Sequence, residues 1–157
     1  MIKINVITNN INWLRYIKDP NNYLERKIKK INSKEKKFDK KSIFCTLLLS
    51  GNKEIKNLNK KFRNKNKSTD VLSFPFQTKR ELNNKLKKEK EIYLGDIIIN
   101  LNKIKNKKIL KNFRNEFDRL WIHGLVHLFG YNHKKNKEFL RMNNIEKKYF
   151  DFINVWK

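Results

Sequence analysis

The sequence predicts a single α+β domain in which a small mixed β-sheet packs against helices. Two observations lead there. Short strand-like runs at 2–7, 42–50, 69–76 and 92–100 alternate with longer segments of helical periodicity. The 157 residues hold no internal repeat and no Gly/Ser linker, so the simplest account is one domain spanning 1–157. A chain of this length can bury ~70% of the surface its unfolded form exposes, so it needs neither a disulfide nor a metal merely to fold.

Taken in order, residues 2–7 alternate, with Ile2, Ile4 and Val6 on one face of a strand. Residues 10–32 read as helical: Leu24, Ile28 and Ile31 form an apolar stripe, and Pro20 suits a helix start. Residues 34–41 are a charged connection. Ser42 to Ser50 is a continuous apolar run of the length of a buried strand. Asn52 is expected to cap the next helix, whose stripe is Ile55, Leu58 and Phe62. Residues 63–68 form a basic loop. Thr69 to Phe76 reads as a strand, which Pro75 ends or confines to an edge. Residues 77–91 are almost wholly polar and are expected to form an exposed basic loop. Ile92 to Asn100 is a further strand. Helical patterns fill 102–130 and 135–152, with stripes Phe113, Phe117, Leu120, Gly124, Leu128 and Phe139, Met142, Tyr149, Ile153.

Lys+Arg 39 against Asp+Glu 15 gives a net charge of +24, which favours polyanionic partners such as nucleic acid or ribosomes. Heavy use of Lys, Asn and Ile is also what an AT-rich genome produces, so the charge alone does not establish nucleic-acid binding. One cysteine, Cys45, excludes an internal disulfide framework and fits a reducing cytosol, and no disulfide-linked partner is expected. It sits in the apolar run 43–49 and reads as a core residue. No segment approaches the ~18 apolar residues of a membrane span, and the N-terminus lacks the apolar core of a signal peptide. The expectation is a cytoplasmic protein with no membrane partner.

All three histidines fall within His123-Gly124-Leu125-Val126-His127-Leu128-Phe129-Gly130-Tyr131-Asn132-His133. On a helix, His123 and His127 stand one turn apart on one face, where both can ligate one ion. Gly130 can take the left-handed conformation that ends a helix, so the chain can turn back and bring His133 to the same ion. Three neutral nitrogen ligands leave a fourth position open on zinc, the pattern of a catalytic rather than a structural site. The spacing also matches part of the metzincin protease motif, but those enzymes carry a Glu directly after the first histidine. Here Gly124 stands there and cannot act as a base.

The eleven residues 123–133 resemble the H-G-x-x-H-L-x-G-Y-D-H signature of the YbeY family, bacterial rRNA maturation factors described as single-strand-specific metallo-endoribonucleases. Ser68-Thr69-Asp70-Val71-Leu72-Ser73-Phe74-Pro75 is similar to that family's T-D-V-L-S-F-P strand, and Leu94-Gly95-Asp96-Ile97 to its L-G-D-I strand. Leu58-Asn59 followed by Arg63 resembles its L-N-x-x-x-R segment. The matches keep the family's order and span roughly 55–150. Pattern and resemblance together set the strand count at about four. The resemblance implies one zinc per chain on His123, His127 and His133, with catalysis at Arg63 and His123. It implies an enzyme that cuts single-stranded RNA, with rRNA of the small ribosomal subunit as partner, acting in 16S rRNA 3′-end maturation and ribosome quality control. Asn132 departs from the family's Asp and cannot serve as a base.

Other polar residues read more simply. Asp70 and Asp96 read as turn or cap acceptors, Ser73 as structural, and Glu116 as an exposed acid on the His123 face. Trp121, Phe117 and Phe129 read as core. Two other functions stay open at this stage: a metallopeptidase-like hydrolase, and a non-catalytic ribosome-assembly factor with a structural metal. The oligomeric state is not legible.

Overall fold

In the computed structural model, which describes residues 1–154, the elements run β1 (Ile2–Thr8), α1 (Pro20–Lys34), β2 (Ser42–Ser50), α2 (Asn52–Arg63), β3 (Val71–Pro75), α3 (Lys79–Lys88), β4 (Glu91–Asn100), α4 (Leu110–Leu128) and α5 (Asn136–Asn154). Residues 155–157 of the expected domain lie outside the described residues. The four strands form one sheet in the order β1-β2-β4-β3. β1 pairs parallel to β2 and β2 parallel to β4, whereas β3 runs antiparallel to β4. The sheet is therefore mixed and four-stranded, as expected. The parallel β1–β2 pair requires a crossover, which α1 supplies.

Strand alternation sorts the core. Ile43, Cys45, Leu47 and Leu49 of β2 and Ile92, Leu94, Ile97 and Ile99 of β4 are buried in one cluster with Leu24, Ile28 and Ile31 of α1 and with Phe113, Phe117, Trp121 and Leu125 of α4. Burial pushes the Cys45 thiol up to about 12, so it is an inert core residue, as its apolar surroundings imply. A smaller cluster joins Ile55 of α2 to Leu72 and Ile98 of the sheet.

Strict alternation fails at one place. Phe44 pairs with Tyr93, but Thr46 pairs with Asp96, so β4 carries one extra residue. Gly95 sits there at φ 131°, and a Cβ on it would stand 2.1 Å from the Phe74 carbonyl oxygen. Only glycine allows β3 to approach so closely. As a result, Tyr93 and Asp96 share one face of the sheet instead of opposing each other.

Six expectations need correction. Residues 79–88 are helical rather than loop: Thr78 and Glu81 form a capping box, and Leu82 is buried against the core while the basic residues face outward. Leu82 and Leu86 stand one helical turn apart and both pack on the core, but two apolar residues in an otherwise polar window are a short signal to read as a helix. The stretch 10–32 divides into a 3-10 turn at Ile11–Arg15 and α1, which starts at Pro20 under the Asp19 cap. Gly51, not Asn52, is the N-cap of α2, and the Asn52 side chain instead accepts from Asn100. Between 101 and 109 only Leu101–Lys103 is helical, as a 3-10 turn. Phe62, expected in the inward stripe of α2, is 59% exposed, and Phe139, expected in that of α5, is 53% exposed.

Candidate metal centre

The last turns of α4 place His123 and His127 on one face, while Gly124 faces the sheet. A Cβ at Gly124 would stand 2.6 Å from Ile97 Cγ2. This close approach of α4 to β4 explains why no acidic side chain follows His123. The helix ends as expected. Gly130 takes φ 83°, its N–H donates to the His127 carbonyl at 2.9 Å, and the Tyr131 N–H donates to the Val126 carbonyl at 3.4 Å. That reversal carries His133 back over the helix end. One nitrogen from each of His123, His127 and His133 lies within 4.8 Å of the others, so the group could hold a metal ion.

Two of the rings are fixed from behind. Nδ1 of His123 lies 2.8 Å from Glu146 Oε1 on α5, and Nδ1 of His127 lies 2.9 Å from the Tyr131 carbonyl oxygen. Each acceptor holds the proton on Nδ1 and leaves Nε2 free, the arrangement expected of ligating histidines. The two Nε2 atoms stand 3.1 Å apart. Burial, and secondarily the neighbouring His123, depress His127 to about 4, so its ring is neutral and able to ligate at ordinary pH. Neutral imidazoles with no cysteine beside them suit zinc, and also copper, iron or nickel. The three nitrogens fit an open-coordinate ion, and the donor set does not select among these metals.

Arg63, the last residue of α2, lies in the same cleft, a space of about 890 Å³ that also borders Ser73, Phe76, Lys79 and the three histidines. Its Nη2 donates to the Ser73 carbonyl at 3.0 Å, and its guanidinium lies 5.6 Å from the centre of the Phe74 ring. One edge of the fork is thus anchored and the rest remains available. Asn64 ends α2 in the left-handed conformation, and Asn59 holds the following loop through the Lys67 carbonyl.

The remaining polar residues are accounted for locally. Asp70 accepts from the Val71 N–H, Asp96 from the Tyr93 hydroxyl, and Glu116 from the Lys105 N–H, and none of these bonds involves a histidine, although Asp70 borders the cleft. The Ser73 hydroxyl is 3.5 Å from the Gly124 carbonyl oxygen, which ties β3 to α4. Asn132 accepts from the Lys134 N–H, a role that an Asp would also fill. Sequence reasoning missed Glu146. Its only signal is an acid one turn after Met142, at the edge of the inward stripe of α5. Lys79, beside Gly130 and over the Tyr131 ring, carried no signal at all.

A family model described as "Endoribonuclease YbeY" matches residues 7–154. The "Endoribonuclease YbeY" of Pelagibacter ubique (strain HTCC1062) is 44% identical over 158 residues, covering 99% of this chain and 98% of that protein. The protein of the same name from Ehrlichia canis (strain Jake) is 32% identical over 157 residues, covering 99% and 94%. The solution structure of TM1509 from Thermotoga maritima superposes with a TM-score of 0.58 at 28% identity, covering 98% of this chain and 89% of that one.

Proposed function

The chain belongs to the YbeY endoribonuclease family, and from that membership we propose that its three-histidine cleft hydrolyses phosphodiester bonds of single-stranded RNA with the help of one zinc ion. The observation that carries this reading is the convergence of His123, His127, His133 and Arg63 on one open cleft of a strongly basic chain. The biological substrate is rRNA of the small subunit, in 16S 3′-end maturation and ribosome quality control, and the compartment is the cytoplasm. No helix among the described residues is long and apolar enough to cross a membrane.

His123, His127 and His133 would hold the ion, which when bound supplies Lewis acidity at the scissile phosphate. Glu146 and the Tyr131 carbonyl keep two of the three rings turned inward. Arg63 presents a planar fork of N–H donors to the phosphate oxygens and stabilises the charge that develops there. Lys79 and Lys134 border the same cleft and add positive potential along the backbone. Gly124 leaves the site without the glutamate base of the zinc peptidases, which weighs against peptide hydrolysis.

An RNA-cleavage assay with and without a chelator tests the reading, together with metal analysis of the purified protein. The expected result is about one zinc per chain and cleavage of an unstructured RNA that stops on chelation. Casein cleavage abolished by His123→Ala, with RNA left intact, would point to the peptidase instead.

A further inference from the structure

The face of the sheet turned away from α4 is only half covered. Ile55 and Leu58 of α2 pack over Leu48, Leu72 and Ile98 of the sheet. Beyond α2, two rows of residues cross the strands in register. One is Lys3, Phe44 and Tyr93; the other is Asn5, Thr46, Asp96 and Phe74. Phe44 is 40% exposed, Phe62 59% and Phe76 68%, an unusual concentration of exposed rings. The rings touch in sequence: Phe76 and Tyr93 centroids lie 5.7 Å apart, and Tyr93 and Phe44 5.3 Å. Tyr93 is held rigid because its hydroxyl sits between Thr46 and Asp96. A second pair, Phe62 and Phe74, is flanked by Lys61 and Arg63.

We propose that Phe76, Tyr93 and Phe44 form a stacking platform for unpaired bases of the RNA strand, leading from the metal cleft onto the open sheet face. The proposal rests on the reading of the chain as an RNA-cleaving enzyme, and it extends the substrate path beyond the cleft. Continuity supports it, since Phe76 borders both the cleft and the Tyr93 ring. So does charge. Lys3, Lys61 and Arg63 flank the rings, none of them in an ion pair among the described residues, while the nearby acid Asp96 is engaged by Tyr93. Exposed rings set among cations, with the polar side chains of Asn5 and Thr46 beside them on a chain of net charge +24, match the way proteins hold single strands. Stacking requires an unpaired base, so the platform would itself select single-stranded over duplex RNA.

The test uses oligodeoxyadenylate, which has bases and phosphates but no 2′-hydroxyl, beside inorganic polyphosphate, which has charge alone. In Phe44→Trp, the introduced indole should be quenched by oligodeoxyadenylate and not by polyphosphate, measured against the unsubstituted protein. Phe44→Leu should weaken oligodeoxyadenylate binding by on the order of ten-fold, with the salt dependence of binding unchanged because no phosphate contact is lost. Binding without quench and with undiminished affinity in Phe44→Leu overturns the platform. So does a Phe44→Leu protein whose only change, by sedimentation, is loss of self-association. Cleavage of an unstructured RNA by the unsubstituted protein is scored in parallel. Its absence removes the enzymatic reading, whereas cleavage combined with an unresponsive Phe44 removes the platform alone.

Discussion

Glu146 on α5 accepts a hydrogen bond from Nδ1 of His123 on α4 at 2.8 Å, so the last helix of the chain orients a ring in the metal centre. Both side chains are about 30% exposed (31% and 27%), and the contact is a local orienting bond rather than a buried ion pair. Glu146→Ala should reduce metal affinity ~10–100-fold, the usual effect of removing an outer partner of a ligating histidine. Glu146→Gln keeps an acceptor oxygen and should recover most of it. Competition titration with a chromogenic chelator reads both, and equal affinity in all three proteins would show that the bond does not orient the ring.

Much of this site is legible in the sequence because its logic is local. Spacing puts His123 and His127 on one helix face, and Gly130 ends that helix and returns His133, as the backbone geometry bears out. Arg63 reaches the cleft from α2, where only resemblance pointed to it. What could not be read depends on tertiary proximity. Glu146 meets His123 across 23 residues, and the Gly95 bulge that places Tyr93 beside Asp96 breaks the period of two on which strand reading relies. The fold class followed from apolar runs and their order, and the four-stranded sheet from that pattern together with the resemblance. α3 was missed because its only apolar pair, Leu82 and Leu86, is a single helical repeat within a highly charged window.

Gly124→Ala tests the contact between α4 and β4. At an uncrowded helix position the substitution would stabilise by ~1 kcal/mol. Here the new methyl would stand 2.6 Å from Ile97 Cγ2, so overpacking should win, with a net loss of about 1–3 kcal/mol. Ile97→Ala costs stability of its own, but it removes the obstructing carbons. The double variant should therefore be more stable than the sum of the single losses, as read by urea denaturation. Additive losses would show that the helix moves away freely.

Asp118 tests a different part of α4. It is 1% exposed and accepts from the Trp121 indole at 2.9 Å and from the Tyr23 hydroxyl at 3.1 Å, with the Lys27 ammonium 2.9 Å away. Burial raises its carboxyl above the ordinary range, against the pull of Lys27. Removing one partner strands the others, so Asp118→Ala should cost about 3–5 kcal/mol. Metal content should be unchanged in the protein that still folds. A loss below about 1 kcal/mol would show that water replaces the carboxylate.

His127 sets a pH dependence in the metal-free protein. Its folded value, about 4, lies below the ordinary imidazole value of 6.5. As pH falls from 6.5 towards 4, the unfolded chain takes up a proton that the folded ring refuses, so stability is lost on acidification across that window. His127→Gln lacks this titration. The stability of the chelator-treated wild type relative to His127→Gln should therefore decline between pH 6.5 and pH 4 and stay level above 6.5. A constant difference would mean that the ring is solvated like that of a free histidine.

Arg63 carries the sharpest test of the proposed chemistry. Its guanidinium is held by the Ser73 carbonyl at 3.0 Å and lies 5.6 Å from the Phe74 ring centre, and Arg63 lines the cleft that holds the histidines. If its N–H donors stabilise charge on the phosphate in the transition state, Arg63→Ala should slow single-turnover cleavage by ~10²–10³-fold, the range for loss of one such donor. The metal content should not change, because the guanidinium is not a ligand. Arg63→Lys keeps the charge but loses the planar fork and the anchored geometry, so it should recover little. A purely structural role predicts the opposite pattern: a fall in thermal stability that accounts for the lost rate, and recovery by Lys. Cleavage at full rate by a stably folded Arg63→Ala protein removes arginine from the mechanism and leaves the chemistry to the histidine-held metal alone.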